Sequence, residues 1–365
     1  MTTAINWDED PYVFVFKDEI PGKVKMHIKN LDLHHWVCID KTYPKQMAVK
    51  SRLYETNKAD IFVSRRLDPK TAACKQEFFS LLTEHLLNRF PDIFAKQPNG
   101  SIKNKVTGQC VSGDVENNPG EEDILMRAGR LTQEDWIIME LDPEQNSFVL
   151  TAGVLCFPSD WNLLEKFNKP MGEIHKPVSV YQDHLKDKVD ALFLNMKPKR
   201  PLWRANWGIY TDIKGSYDLF THPSRGLHSF HGVSAPFEGE ETGKKLFLRC
   251  EYQTLRKLPD TGCIVFGIRT YMRYLEEMKD RPLDEIQSLV KSIKHMDSEH
   301  LTYKGGDVWK DNALKYLDLL IDGAKGKQHP LEQKGNILTS RTTLMFAAGA
   351  LFACIIFFGT KNKIK

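Results

Sequence analysis

The chain has 365 residues, 41% hydrophobic and 27% charged, which are ordinary proportions for a globular protein with room for one large domain plus appendages. A formal net charge of only +3, with no basic stripe interleaved with aromatics, excludes a dedicated nucleic-acid binder. The cysteines at 38, 74, 110, 156, 250, 263 and 354 are odd in number and scattered, with no Cys-x-x-C pair. That argues against a disulfide framework and a zinc site, and fits a reducing compartment.

In chain order, the start lacks a basic region followed by an apolar run, so no secretory signal is expected, and residues 1–30 read as an extension. Pro69 to Phe90 carries Phe78, Phe79, Leu82, Leu86 and Phe90 at helical spacing, an aromatic stripe that reads as core. Asn99 to Glu122 is rich in Gly, Asn, Ser and Lys without apolar periodicity and reads as a surface loop. Within it, Asp114 to Gly120 resembles the viral ribosome-skipping peptide, but Glu121 stands where that peptide needs proline, so the match is chance. Strands follow at Trp136 to Leu141 and Phe148 to Phe157, then helices at Ser159 to Phe167, with Ser159 as cap, and at Val180 to Met196. A strand at Leu202 to Thr211 precedes a hairpin: Lys245 to Thr254, a turn at Leu258 to Gly262, and the apolar run Cys263 to Ile268. Tyr271 to Lys279, Leu283 to Met296 and Asn312 to Ile321 read as helices. Strands mixed with segregated helices predict an α+β domain over residues 31–322.

Residues 323–341 read as linker. Thr342 to Thr360 then holds no charge over 19 residues, bracketed by Arg341 and by Lys361, Lys363 and Lys365. A membrane-spanning helix needs about 20 apolar residues, with about 17 as a lower limit. A single-pass C-terminal anchor is therefore expected, with a cytosolic N-terminal domain and a basic tail at 361–365. The mitochondrial outer membrane and the endoplasmic reticulum both suit such an anchor.

Arg249, Glu251, Arg256 and Arg269 lie on or beside strands that must also supply core. Arg249 and Glu251 are spaced i, i+2, so on a strand both point to one face, with Gln253 beside them. The bland reading is a solvated sheet face; the other is the lining of a site.

Four stretches in order carry a resemblance. They are Leu31 to Tyr43, Cys156 to Val178 with its Gly-Glu-Ile-His-Lys-Pro-Val, Arg204 to Ile209 (Arg-Ala-Asn-Trp-Gly-Ile), and Arg249 to Tyr271. The last resembles an Arg-x-Glu-Arg-Gln-Thr-Leu-x-Arg-Leu-Pro signature followed by an apolar strand and Thr-Tyr. Together they resemble the haem-dependent oxidative N-demethylase-like family, from Leu31 to Glu277. The resemblance implies a PAS-like haem-holding sheet with helices around it, and haem b as cofactor.

Haem iron needs an axial donor, usually neutral imidazole. His175 is the best placed of 12 histidines, because Pro177 restricts the residue before it and the family motif has Ile-His-x-Pro-Val there. His222, His228 and His231 form a second candidate cluster, and Cys156 and Cys250 are thiolate alternatives. Lys166, Lys176, Arg204, Asn206 and Arg256 lie within the family motifs as cofactor-binding candidates, the cations for the propionates. Arg249, Glu251 and Gln253 are the catalytic candidates, able to position water, oxygen or an amine and to move protons.

Two departures stand out. Tyr252 replaces the family Arg of Glu-Arg-Gln, and Lys166-Phe167-Asn168-Lys169-Pro170 replaces Lys-Leu-Gly-Arg-Pro, losing a glycine near His175. The expected function is a tail-anchored haem monooxygenase that removes a methyl group from a small secondary amine. The chain shows no evident flavin, nicotinamide or iron–sulfur module, so electrons are expected from a separate reductase. A non-catalytic haem- or gas-binding sensor or carrier is the alternative, which Tyr252 favours. A haem-free scaffold is the third.

Overall fold

The computed structural model describes residues 26–113, 122–159, 161–176, 181–211 and 238–328. Two compact units divide the chain, Met1–Asp322 and Gly323–Lys365, and both sheets belong to the first.

The described strands are β1 (Lys29–Asn30), β2 (Phe62–Ser64), β3 (Phe94–Lys96), β4 (Ile102–Asn104), β5 (Cys110–Val111), β6 (Asp135–Asp142), β7 (Ser147–Val154), β8 (Leu202–Thr211), β9 (Leu246–Lys257) and β10 (Ile264–Tyr274). Seven of them form one antiparallel sheet in the order β1-β8-β9-β10-β6-β7-β2, and β3-β4-β5 form a small second sheet. Mixed helix and sheet bears out the α+β expectation.

Helix Pro69–Arg89 follows from its ends and its stripe. Asp68 accepts from the backbone N–H of Lys70 and Thr71, and proline opens the first turn. Phe78, Phe79, Leu82 and Leu86 are all buried. They pack with Trp36, Trp136 and the even-numbered side chains of β9, namely Leu246, Leu248, Cys250 and Tyr252, in the main core. The odd-numbered face of β9 looks the other way. Leu255 there joins Ile137, Met139, Phe148, Leu163, Met171 and Tyr181 in a second core. The sheet is thus buried on both sides, and strand parity decides which core a side chain meets.

The β9–β10 hairpin closes where the turn chemistry predicts. Gly262 has φ +70, its N–H donates to the Leu258 carbonyl, and Glu77 accepts from the Asp260 and Thr261 N–H groups. Gly267 has a packing reason: a Cβ there would lie 2.5 Å from Trp136 and 2.7 Å from Thr254.

Several elements differ from expectation. Within Asn99 to Glu122, Ile102–Asn104 and Cys110–Val111 pair as strands, drawn in because Ile102 and Val111 are buried. The helix expected from Ser159 shrinks to Leu163–Lys166 with Asn162 as its cap, while the Ser159 hydroxyl pairs with that of Tyr210 at 2.7 Å. Tyr271 to Tyr274 extend β10 instead of starting a helix, because they pair with Cys250 through Phe247; a 3-10 helix, Leu275–Asp280, follows. The last helix runs from Gly306 to Gln328, beyond the residue at which linker was expected to begin. Cys74 and Cys263 form a disulfide across 189 residues, where the cysteine pattern argued against a disulfide framework. The uncharged run at 342–360 and the first 25 residues of the extension expected at 1–30 lie outside the described residues, among which no helix is long and apolar enough to cross a membrane.

Candidate functional site

Antiparallel register places one polar set on the odd face of β9. Arg204 lies opposite Gln253, Asn206 opposite Glu251, and Thr270 of β10 also opposite Glu251. The Arg249 guanidinium donates to Glu251 Oε1 through Nε at 3.1 Å and Nη2 at 2.9 Å. Its Nη2 also reaches the Phe157 carbonyl at 2.6 Å and the Thr270 hydroxyl at 3.1 Å. Glu251 Oε2 accepts from Gln253 at 2.8 Å and, more weakly, from Asn206 at 3.5 Å. Arg249, Glu251 and Gln253 are all buried. Burial alone would raise the Glu251 carboxyl, but the Arg249 charge and these hydrogen bonds outweigh it and hold the group below its ordinary value. The solvated-face reading therefore fails.

Asn206 is oriented from behind. Its Oδ1 accepts from Lys304 Nζ at 3.3 Å, and the same ammonium donates to the Trp207 carbonyl. Arg204 is different. Its Nε is buried without a hydrogen-bond partner, and burial lowers its affinity for the proton with only the Glu251 charge opposing. A guanidinium so placed is suited to receive an anionic oxygen.

His175 ends the short helix Met171–Ile174. Its ring stacks on Tyr181 with centroids 4.4 Å apart, and Nδ1 lies 3.0 Å from the Met171 carbonyl. A carbonyl only accepts, so Nδ1 carries the proton and Nε2 keeps its lone pair. Burial pushes the imidazole down to about 4; the Met171 carbonyl opposes this, and Arg204 and Lys166 reinforce it. The side chain is thus neutral at pH 7, the state a metal requires. Lys166 donates to the Ile174 carbonyl at 2.9 Å and so braces this segment, while Lys176 is exposed.

Asn168 takes the place of the glycine lost from the loop before His175, in a backbone conformation that glycine favours. Asn168 has φ +60, the left-handed region that Asn tolerates best after Gly, and its amide oxygen accepts from Arg65 at 2.6 Å.

Other candidates fall elsewhere. Arg256 is even-numbered, so it lies on the main-core face, 4.2 Å over the Trp36 ring, and cannot join the set around His175. Cys250 is buried on that same face. Tyr252 is there too, its hydroxyl donating to the His35 carbonyl at 3.2 Å. Cys156 belongs to a third apolar cluster, where burial drives its thiol well above the usual range, so no thiolate is offered. His222, His228 and His231 lie outside the described residues.

Two residues were missed. Lys304, on no family motif, sets Asn206. His300, on helix Ser298–Tyr303, is held down to about 4 by burial, by Lys304 and by Arg204, with Asp297 opposing. Neither has a spacing that would reveal it in sequence.

Among the described residues no three His, Cys, Asp or Glu side chains gather as a metal cluster. A porphyrin iron needs no such cluster, only an axial donor and partners for its carboxylates. Neutral His175 with a free Nε2 and Arg204 with its unpartnered Nε fit that requirement.

Residues 27–314 match the family described as haem-dependent oxidative N-demethylase, alpha subunit-like. The chain belongs to that family. The match covers the whole polar set and most of both cores, and extends beyond the four motifs into the helix that begins at Gly306.

Proposed function

We propose that this chain is a haem-dependent oxidative N-demethylase acting on a small secondary amine, with His175 as the axial ligand of haem b and Arg204 as a propionate partner. The observation that supports the reading is a proton-free imidazole nitrogen on His175 within the electrostatic reach of Arg204, whose buried Nε has no hydrogen-bond partner. The seven-stranded sheet is, on this reading, the PAS-like cradle. When bound, haem supplies oxygen activation. In the balanced reaction the N-methylated secondary amine, oxygen, two electrons and two protons give the primary amine, formaldehyde and water.

The chain's own residues bind and orient. A secondary amine is an ammonium at pH 7, and Glu251, kept ionised by Arg249, attracts it and accepts or returns its proton at the carboxylate. Gln253 and Asn206 fix the carboxylate's direction, and Lys304 fixes Asn206. Tyr252 faces away from this set, so the observation that favoured a non-catalytic sensor or carrier loses its weight. Electrons come, in this proposal, from a separate reductase, and the uncharged run at 342–360 supports a membrane common to both.

The test is the absorption spectrum of the full chain produced with haem precursor, beside His175→Ala, followed by formaldehyde release from dimethylamine with an added reductase. A Soret band lost in the variant and restored by imidazole is expected. An unchanged band refutes the ligand. Haem-loaded protein that releases no formaldehyde above background refutes demethylation of that amine.

A further inference from the structure

The main-core face carries its own unmet chemistry. Trp36 is fully buried, yet its indole N–H has no acceptor. His85 meets its ring edge-on at 5.4 Å between centroids, and Arg256 lies 4.2 Å over it. Arg89 lies 4.8 Å over the neighbouring Phe90, which His85 also contacts. Nε2 of His85 and Nε of both arginines are buried without partners, as is the indole nitrogen. Four unfilled nitrogens thus come from three elements: the segment after the 3-10 helix Leu33–His35, helix Pro69–Arg89, and β9.

The nearby acids do not fill them. Glu77 and Glu84 act on Arg256 only as distant charges. Glu77 is committed to the Asp260 and Thr261 N–H groups and the Thr261 hydroxyl, and Glu84 is exposed. Asp32 accepts from the His34 N–H. His85 is held down to about 4 by burial and by Arg256, Arg89 and His34, so it sits neutral between two guanidiniums. Desolvated donors without acceptors carry a cost that a bound anion removes. His85, Arg89 and Arg256 are half-buried as residues and His34 is exposed, so the outer edges of these side chains meet solvent while their unpartnered nitrogens and Trp36, the floor of the group, lie beneath.

We propose that Trp36, His85, Arg89 and Arg256 form a binding site for a phosphate group. Donors from three elements suit a tetrahedral oxyanion better than a planar carboxylate, which offers two oxygens. Two guanidiniums supply the charge and the planar donor edges phosphate recognition uses. The site lies on the side of the sheet away from His175 and stands whether or not haem is bound.

Titration calorimetry of the full chain with inorganic phosphate, at fixed ionic strength set by chloride, tests this. Saturable one-to-one binding is expected, weakened by roughly tenfold or more in Trp36→Phe, which removes one charge-assisted hydrogen bond. The double variant Arg89→Gln, Arg256→Gln keeps the floor intact, guards against a folding defect at Trp36, and is expected to abolish saturable binding while leaving any haem absorption unchanged. Tighter binding of a nucleoside 5′-monophosphate assigns the site to phosphomonoesters; equal or weaker binding assigns it to free phosphate. The proposal is overturned by no saturable heat, by acetate binding as well as phosphate, by undiminished binding in the double variant, or by loss of its Soret band.

Discussion

Replacing Arg249 with Met isolates the energetic centre of the polar set. The guanidinium and the Glu251 carboxylate are 2.9 Å apart, with side-chain exposures of 3% and 8%. Methionine keeps most of the length but removes the charge, leaving Glu251 with Gln253 at 2.8 Å and the long Asn206 contact as partners. Breaking a buried pair from one side costs about 3–5 kcal/mol, because the surviving charge stays desolvated. The pH dependence gives the sharper signature. In the native protein Glu251 is held below its ordinary 4.5, so its stabilisation is present above 4.5 and is lost as pH falls through the lowered value. In Arg249→Met burial prevails and the folded value rises above 4.5, so the variant loses stability as pH rises through that raised value. The gap between the two proteins therefore widens as pH rises from 4.5 toward neutrality. Urea midpoints measured from pH 4.5 to 7.5 read this directly. Adding Glu251→Gln to the variant removes the pH-dependent part and leaves only the lost contacts to Phe157 and Thr270. A gap that is flat across this range, or below about 1 kcal/mol at pH 7, sinks the ion-pair account.

Arg204→Met removes a half-buried guanidinium whose buried Nε has no partner, so the apoprotein gains roughly 1–3 kcal/mol in urea denaturation while retained haem falls; a less stable apoprotein refutes the cost assigned to that unpartnered nitrogen. Tyr252→Phe loses one hydrogen bond to the His35 carbonyl, costing about 0.5–1.5 kcal/mol in denaturation, and leaves formaldehyde release unchanged; lost turnover places Tyr252 in the site after all. Asn168→Ala costs about 1–2 kcal/mol from the left-handed backbone, beyond the lost Arg65 contact, and Asn168→Gly costs less, the order to be checked by thermal melts. His85, His175 and His300 all sit at about 4 when folded, below the ordinary 6.5, so the unfolded chain binds more protons between those values. Stability in the haem-free protein therefore falls as pH drops from 6.5 toward 5, and each His→Gln variant flattens that slope; a slope unchanged in all three refutes the burial argument.

Local pattern made some of this legible. The hairpin was readable because its turn residues and strand parity are local, and parity alone put Arg249, Glu251 and Gln253 together and Tyr252 opposite. The same parity rule, applied to Arg256, would have removed it from the haem set; motif membership masked it. Helix Tyr43–Thr56 escaped notice because its buried stripe contains Lys50, whose ammonium donates to the Thr132 and Glu134 carbonyls over 80 residues away. A lysine reads as surface until its distant partners are known. The same holds for Lys304, which finds Asn206 across 98 residues. His300 had no neighbours in sequence that mark it, since its surroundings are assembled by the fold.

The two faces of β9 differ in how their charges are settled, and that difference argues for where ligands bind. On the odd face Arg249, Glu251, Gln253 and Asn206 bond to one another, although Arg249 Nη1 is itself buried without a partner, so the carboxylate's direction is fixed before any ligand arrives. Rigid polar groups orient a substrate without paying for reorganisation at the moment of reaction. Arg204 beside them is unsettled, and so are Arg256, Arg89, His85 and Trp36 on the other face. Folding tolerates such groups only at a cost, and the cost is recovered by whatever anion fills them. Settled groups therefore mark where chemistry is directed, and unsettled ones mark where binding free energy is held in reserve. On the two proposals made above, the odd face serves both purposes and the even face only the second.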